Sequence, residues 1–105
     1  MAWKAVQMLD LDGFFALVDN SAAAWTEAGA QWTTNRTPDD GRNKHAAWVT
    51  IRHGDREGQL TVWDSGEAEL EAGGLTEPLT QTHFDGLETA TIPLADLVGL
   101  VVLRS

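Results

Sequence analysis

The chain has 105 residues, enough for one domain with a modest core and no covalent staples. Hydrophobic residues make up 43% and charged residues 22%, the balance of a globular protein rather than a disordered one, and the lack of cysteine excludes disulfides, thiolate zinc sites and cysteine nucleophiles. Sixteen acids against seven bases give a formal net charge of −9, which repels phosphate backbones, argues against nucleic acid as a partner and favours a basic one.

Met1 to Met8 is ambiguous: Trp3, Ala5 and Gln7 alternate with Lys4, Val6 and Met8, which suits a strand or an early helical turn. No targeting segment is read there, because Asp10 and Asp12 cut short any apolar stretch. Leu9 to Gly29 predicts the first helix. Leu11, Phe14, Phe15, Val18, Ala22 and Trp25 recur at spacings of three and four, Asp10 or Asp12 can cap the start, and Gly29 is placed to end it. Asn20 and Ser21 weaken its middle.

Gln31 to Arg36, rich in Thr and holding Trp32, predicts a short strand. Thr37 to Lys44 is a polar loop. Ala46 to His53 predicts the next strand, with Ala47, Val49 and Ile51 on one face and Trp48, Thr50 and Arg52 on the other. A loop at Gly54 to Glu57 leads into a hairpin over Gly58 to Gly74. Gly73, Gly74 and Pro78 mark a further turn, and Leu79 to Phe84 is the last strand. From Thr91 the chain turns helical, with Pro93 at a first helical position and Leu94, Leu97, Val98 and Val101 on one face. Gly99 and the Val101–Val102 pair also allow a strand over 100–103. The apolar run from Ile92 to Leu103 is too short to span a bilayer and contains Asp96. The expected architecture is α+β in a single domain over residues 1–105: a four-stranded antiparallel meander with a helix at each end (α-β-β-β-β-α), cytoplasmic and without a membrane partner.

The hairpin is the most informative stretch. Leu60 and Val62 alternate with Thr61 and Trp63, Asp64-Ser65-Gly66 supplies turn chemistry, and Ala68 and Leu70 alternate with Glu67, Glu69 and Glu71. One face is apolar; the other carries Trp63 beside three carboxylates. Val49, Ile51, Leu60, Val62 and Leu70 are therefore expected to be buried together, with the glutamates opposite and Gly66 at positive φ. The run Leu60-Thr61-Val62-Trp63-Asp64-Ser65-Gly66-Glu67, with Gly58, Glu69-Leu70-Glu71 and the Ala47-Trp48-Val49 strand, resembles the TriTu family of immunity proteins from bacterial polymorphic toxin systems. The resemblance covers about a quarter of the chain. It implies a small cytosolic inhibitor of a cognate toxin.

Other chemistry finds no constellation. His45, His53 and His83 form no metal-ligand spacing, Ser65 sits in a turn rather than a nucleophile elbow, and no glycine pattern matches a phosphate cradle. Glu67, Glu69 and Glu71 lie side by side without a cleft, which does not suit acid–base catalysis. No enzyme activity, metal or cofactor is expected. Five tryptophans with no tyrosine is an unusual count. Trp3 and Trp25 are expected in the core, whereas Trp48 and Trp63 have the wrong parity for it. Either the C-terminal helix or a loop covers them, or they are exposed anchors, since tryptophan is enriched among binding hot spots. The expected partner-binding residues are Trp48, Trp63, Asp64, Glu67, Glu69 and Glu71. The partner would be a basic protein toxin, bound by a monomer or a homodimer. The alternatives are a module that self-associates through the open sheet face and a small-molecule binder using the same aromatics.

Overall fold

The computed structural model describes residues 9–38, 44–74 and 77–103. The expectations for Met1 to Met8, Trp3 included, and for the middle of the Thr37 to Lys44 loop fall outside these residues. In chain order the elements are α1 (Leu11–Glu27), β1 (Gln31–Arg36), β2 (Ala46–His53), β3 (Arg56–Trp63), β4 (Ala68–Gly74), β5 (Glu77–Phe84) and α2 (Thr91–Val101). The strands form one antiparallel sheet in the order β1-β2-β3-β4-β5.

The sheet thus has five strands where four were expected. The hairpin occupies two places in it, because β3 pairs outward with β2 and β4 pairs outward with β5. A second correction concerns Gly73, Gly74 and Pro78. The two glycines extend β4, opposite Glu57 and Arg56, and Pro78 lies within β5, with a register irregularity between Ala72 and Gly74. A proline is tolerated in β5 because an edge strand has one side free of ladder bonds.

The period of two settles which side of the sheet is buried. Val49, Ile51, Leu60, Val62 and Leu70 share one core with Phe14, Val18, Trp25, Leu94, Leu97 and Val101 from the helices. α1 covers β1 and β2, while α2 covers β3 and β4 and touches β2. Trp25 meets Trp32 edge-on, with ring centroids 6.0 Å apart.

Local chemistry fixes the helix ends. Asp10 is the N-cap of α1, its carboxylate accepting from the Asp12 N–H at 3.1 Å, and such a cap contributes about 1 kcal/mol. At the other end Gly29 N–H donates to Thr26 O and Ala30 N–H to Trp25 O, a Schellman arrangement. The helix continues through Asn20 and Ser21. α2 runs helical to Val101, so its end is not a strand, and Pro93 is its third residue rather than its first. Proline fits there because the opening N–H groups of a helix have no intrahelical partner.

Neither helix has a basic residue in its last turn. The β2–β3 hairpin supplies the missing donors. His53 and Arg56 are directly paired across its two-residue turn. His53 Nε2 donates to Ala28 O at 2.7 Å, and Arg56 Nε donates to Leu100 O at 2.6 Å. Each therefore serves the negative end of one helix dipole. Arg56 is 8% exposed, unusual for a charged residue, and the Leu100 carbonyl is one of the contacts that offset the cost of its burial.

Two glycines carry the geometry. Gly58 lies under α2, where an added Cβ would meet Leu97 Cδ1 at 2.6 Å and Val101 Cγ2 at 2.7 Å. Gly66 ends the Asp64-Ser65-Gly66 loop with φ +94°, as the hairpin reading requires, and its N–H donates to Trp63 O. That loop also holds its surroundings together. Asp64 N–H donates to His45 O, Leu9 N–H donates to Asp64 O, and Leu87 N–H donates to Gly66 O.

Candidate functional site: the open face of the sheet

Residues of the second parity point away from both helices. In register across the five strands run Asn35, Trp48, Thr61, Glu69 and His83, and beside them Thr33, Thr50, Gln59, Glu71 and Gln81. Ala46 pairs with Trp63, so Trp48 and Trp63 are diagonal neighbours on β2 and β3. Both are half-buried, and the helices that cover the core lie on the opposite side of the sheet. Of the alternatives for these two indoles, cover by the C-terminal helix is removed by this placement of α2, and cover by a loop and a role as anchors stay open.

The sheet brings Trp48, Trp63, Glu69 and Glu71 to one face, while Asp64 and Glu67 sit in the β3–β4 connection at its end, Glu67 immediately before β4. The carboxylates are held by partners that strand parity alone does not reveal. Lys44 Nζ lies 3.2 Å from Glu67 Oε2 and 5.6 Å from the centre of the Trp63 ring, an ammonium shared between a carboxylate and an indole face. Ser65 Oγ also reaches Glu67, at 3.4 Å. Gln81 Nε2 donates to Glu71 Oε2 at 2.7 Å. His83 Nδ1 meets the Glu69 carboxylate, and Asp85 Oδ2 lies 3.7 Å from its other nitrogen. The hydrogen bond to Glu69 raises the His83 pKa above its ordinary 6.5, with the charges of Glu69, Asp85 and Glu67 adding to it against a smaller loss from desolvation.

Between these groups runs a neutral ladder: Thr50 Oγ1 donates to Gln59 Oε1 at 3.0 Å, and Gln59 Nε2 donates to Thr61 Oγ1 at 3.2 Å. Towards the β2–β3 turn, Arg52 and Glu57 approach to 3.7 Å. Next to them a shallow cleft of about 380 Å³ is bordered by Asp55, Glu57, Gln59, Glu71 and Leu79, and it opens where Gly73 and Gly74 leave the sheet without side chains. Lys44, Gln59, Gln81 and His83 were not expected in the site. The parity of β3 and β5 marks three of them; Lys44 lies outside any strand and carries no periodic signal.

Among the described residues no cluster of His, Asp and Glu has the geometry of a metal site, and no helix is long and apolar enough to cross a membrane. Comparison with protein-family models, with curated proteins and with solved structures found no match for this chain.

Proposed function

We propose that the protein is a cytoplasmic immunity protein, as its resemblance to the TriTu family implies, and that it neutralises a basic toxin by covering the toxin's active site or substrate groove with the open sheet face. The observation that carries this reading is the place of Lys44. An ammonium lies over Trp63 and against Glu67, and a lysine or arginine of the toxin can make the same two contacts. Glu69 and Glu71, fixed by His83 and Gln81, extend the acceptor row towards β5, and Trp48 supplies apolar area beside it. The net charge of −9 steers the encounter, and the anchors slow its reversal.

The test uses the protein encoded next to this chain as the toxin, with growth protection and binding kinetics at two ionic strengths. Trp63→Ala should speed dissociation by about tenfold or more, the loss of a desolvated anchor of roughly 2 kcal/mol. Glu67→Lys with Glu71→Lys should slow association, most strongly at low salt. Folded variants of both kinds that bind and protect like the parent would remove the sheet face as the inhibitory surface. A dilution-resistant dimer that buries the tryptophans would favour self-association instead.

A further inference from the structure

A second surface lies on the opposite side of the molecule and is independent of the proposed toxin face. Residues at the starts of α1 and α2, Asp10 and Ala90 among them, border one pocket, and residues at their ends, Ala28 and Val102, border another, so the two helices lie side by side in the same sense. Each covers its own pair of strands, and an apolar groove of about 520 Å³ remains between them. Leu17, Ala24, Leu94, Ala95, Val98 and Leu103 line it. On α1 the lining residues Leu17, Ser21, Ala24 and Ala28 follow helical spacing beside the buried stripe, so this helix has a second, outward-facing seam.

α2 points the same way. Its sequence, TIPLADLVGLV, contains one charged residue, Asp96, and is apolar on nearly every side. Helices of that kind are ordinarily buried all round. Here Ile92 is 67% exposed, and Leu103, just beyond the helix, is 76% exposed. The sheet buries one side of α2 and leaves the other apolar and open.

Charge selects the occupant. Neither helix contains a lysine, arginine or histidine, whereas Asp12, Asp19, Glu27 and Asp96 all lie on them. Asp10 and Glu88 border a smaller pocket of about 210 Å³ that adjoins the groove at Leu17 and Thr91, and Glu27 ends α1 just before the groove residue Ala28. Of these acids Asp12 is paired, with Arg36 on the β1 side at 3.3 Å. A second copy would bring acids against acids on two chains that each carry a net charge of −9, so like-charge repulsion disfavours it.

We infer that the groove between α1 and α2 is a docking site for an amphipathic helix of a partner protein whose apolar stripe is flanked by lysine or arginine. α1 and α2 set its length: 17 and 11 residues correspond to roughly 25 and 16 Å, about three to five turns of partner helix. The apolar stripe fills the space between Leu17 and Val98, and the flanking cations meet Glu27, Glu88 and Asp96. Such helix-in-groove recognition is read as anchors at i, i+3, i+4 and i+7.

The probe is a synthetic peptide of about 18 residues with leucine along one helical face and lysine elsewhere. Its controls are a scrambled peptide of the same composition and a version with glutamate in place of lysine. Titration into the full chain, followed by backbone amide resonances, should show the patterned peptide binding at least about tenfold more tightly than either control. The shifts should gather at Leu17, Ser21, Ala24, Ala95 and Val98, with Trp48 and Glu69 unmoved. Ala24→Arg with Ala95→Arg, at two exposed positions, should weaken binding about tenfold or more. Thr33→Arg with Gln81→Arg adds the same charge to the sheet face and should cost far less. Equal binding of the controls, equal loss in the two double variants, or shifts on the sheet would overturn the inference. So would binding that appears only after residues 2–8 are removed, or a concentration-dependent dimer that protects the groove amides. A negative result here leaves the toxin reading intact, because that reading is tested on the other face.

Discussion

Gly58 is the point at which the fold is most sensitive to one added carbon. A β-strand glycine normally costs about 0.5–1 kcal/mol relative to alanine, so Gly58→Ala would ordinarily stabilise the strand. Here the new Cβ lies 2.6 Å from Leu97 Cδ1, 2.7 Å from Val101 Cγ2 and 2.9 Å from Glu71 O, closer than side-chain carbons approach in folded proteins. The carbonyl belongs to the neighbouring strand and cannot retreat, so α2 must lift. Overpacking of this kind costs about 1–3 kcal/mol, which outweighs the propensity gain. For a domain of this size each kcal/mol moves Tm by about 4–8 °C, so a fall of roughly 5–20 °C is expected. Denaturant unfolding followed by circular dichroism should give a lower midpoint with an unchanged slope. Leu97→Ala removes the nearest clashing atom. In the double variant the two costs should therefore add to less than their sum, by about 0.5 kcal/mol or more. A Gly58→Ala protein as stable as the parent, or strict additivity with Leu97→Ala, would refute the close approach of α2 to β3.

Arg56→Met keeps the length of the side chain but removes the donor to the Leu100 carbonyl, and should cost about 1.5–3 kcal/mol, the range for hydrogen bonds from charged groups; chemical denaturation measures it. Arg56→Lys should recover only part of this, because one ammonium does not reproduce the guanidinium fork. His83 holds its proton more tightly in the folded chain than in the unfolded one, so its contribution is fully present below the ordinary value of 6.5 and is lost as pH rises through the raised folded value. Resonance titration should place the His83 pKa above 6.5 in the parent and lower it in Glu69→Gln. Parent stability should fall between mildly acidic and mildly alkaline pH more than that of His83→Gln.

The buried side of the sheet was legible in the sequence because it depends on alternation alone. Val49, Ile51, Leu60, Val62 and Leu70 keep a strict period of two, and a shift by one residue would expose all five. The Gly66 turn was legible for a similar local reason, since Asp-Ser-Gly between alternating runs has few other uses. The strand count was not, because whether a hairpin joins a sheet on one side or both depends on pairing across long separations. Gly73 and Gly74 read locally as a turn, yet tertiary pairing with Glu57 and Arg56 keeps them in β4. In the site, parity placed Trp48, Trp63, Glu69 and Glu71 on one face. What it could not show is that Lys44, distant from Glu67 in sequence, arrives from outside the strands to occupy the indole and its carboxylate.

That occupation bears directly on how a partner can bind. The ion pairs of Glu67 and Glu69 and the hydrogen bond from Gln81 to Glu71 are all solvent-exposed, so little is lost when a partner's cation displaces one. Lys44 is then a competitor: it covers the Trp63 ring and cancels one charge on the face. Lys44→Ala should uncover the indole and make the face more negative by one unit. Association of a basic toxin should be faster at low salt, and dissociation should be unchanged or slower, because the toxin's own lysine or arginine then takes the position over Trp63 without a rival. The change should shrink as salt screens the added field, with a Debye length of about 10 Å at 0.1 M. Stability should change by less than about 1 kcal/mol, so any difference in binding is not one of folding. Weaker binding by a folded Lys44→Ala variant would refute this account and would mean that Lys44 itself touches the toxin, or holds Trp63 in the orientation that does.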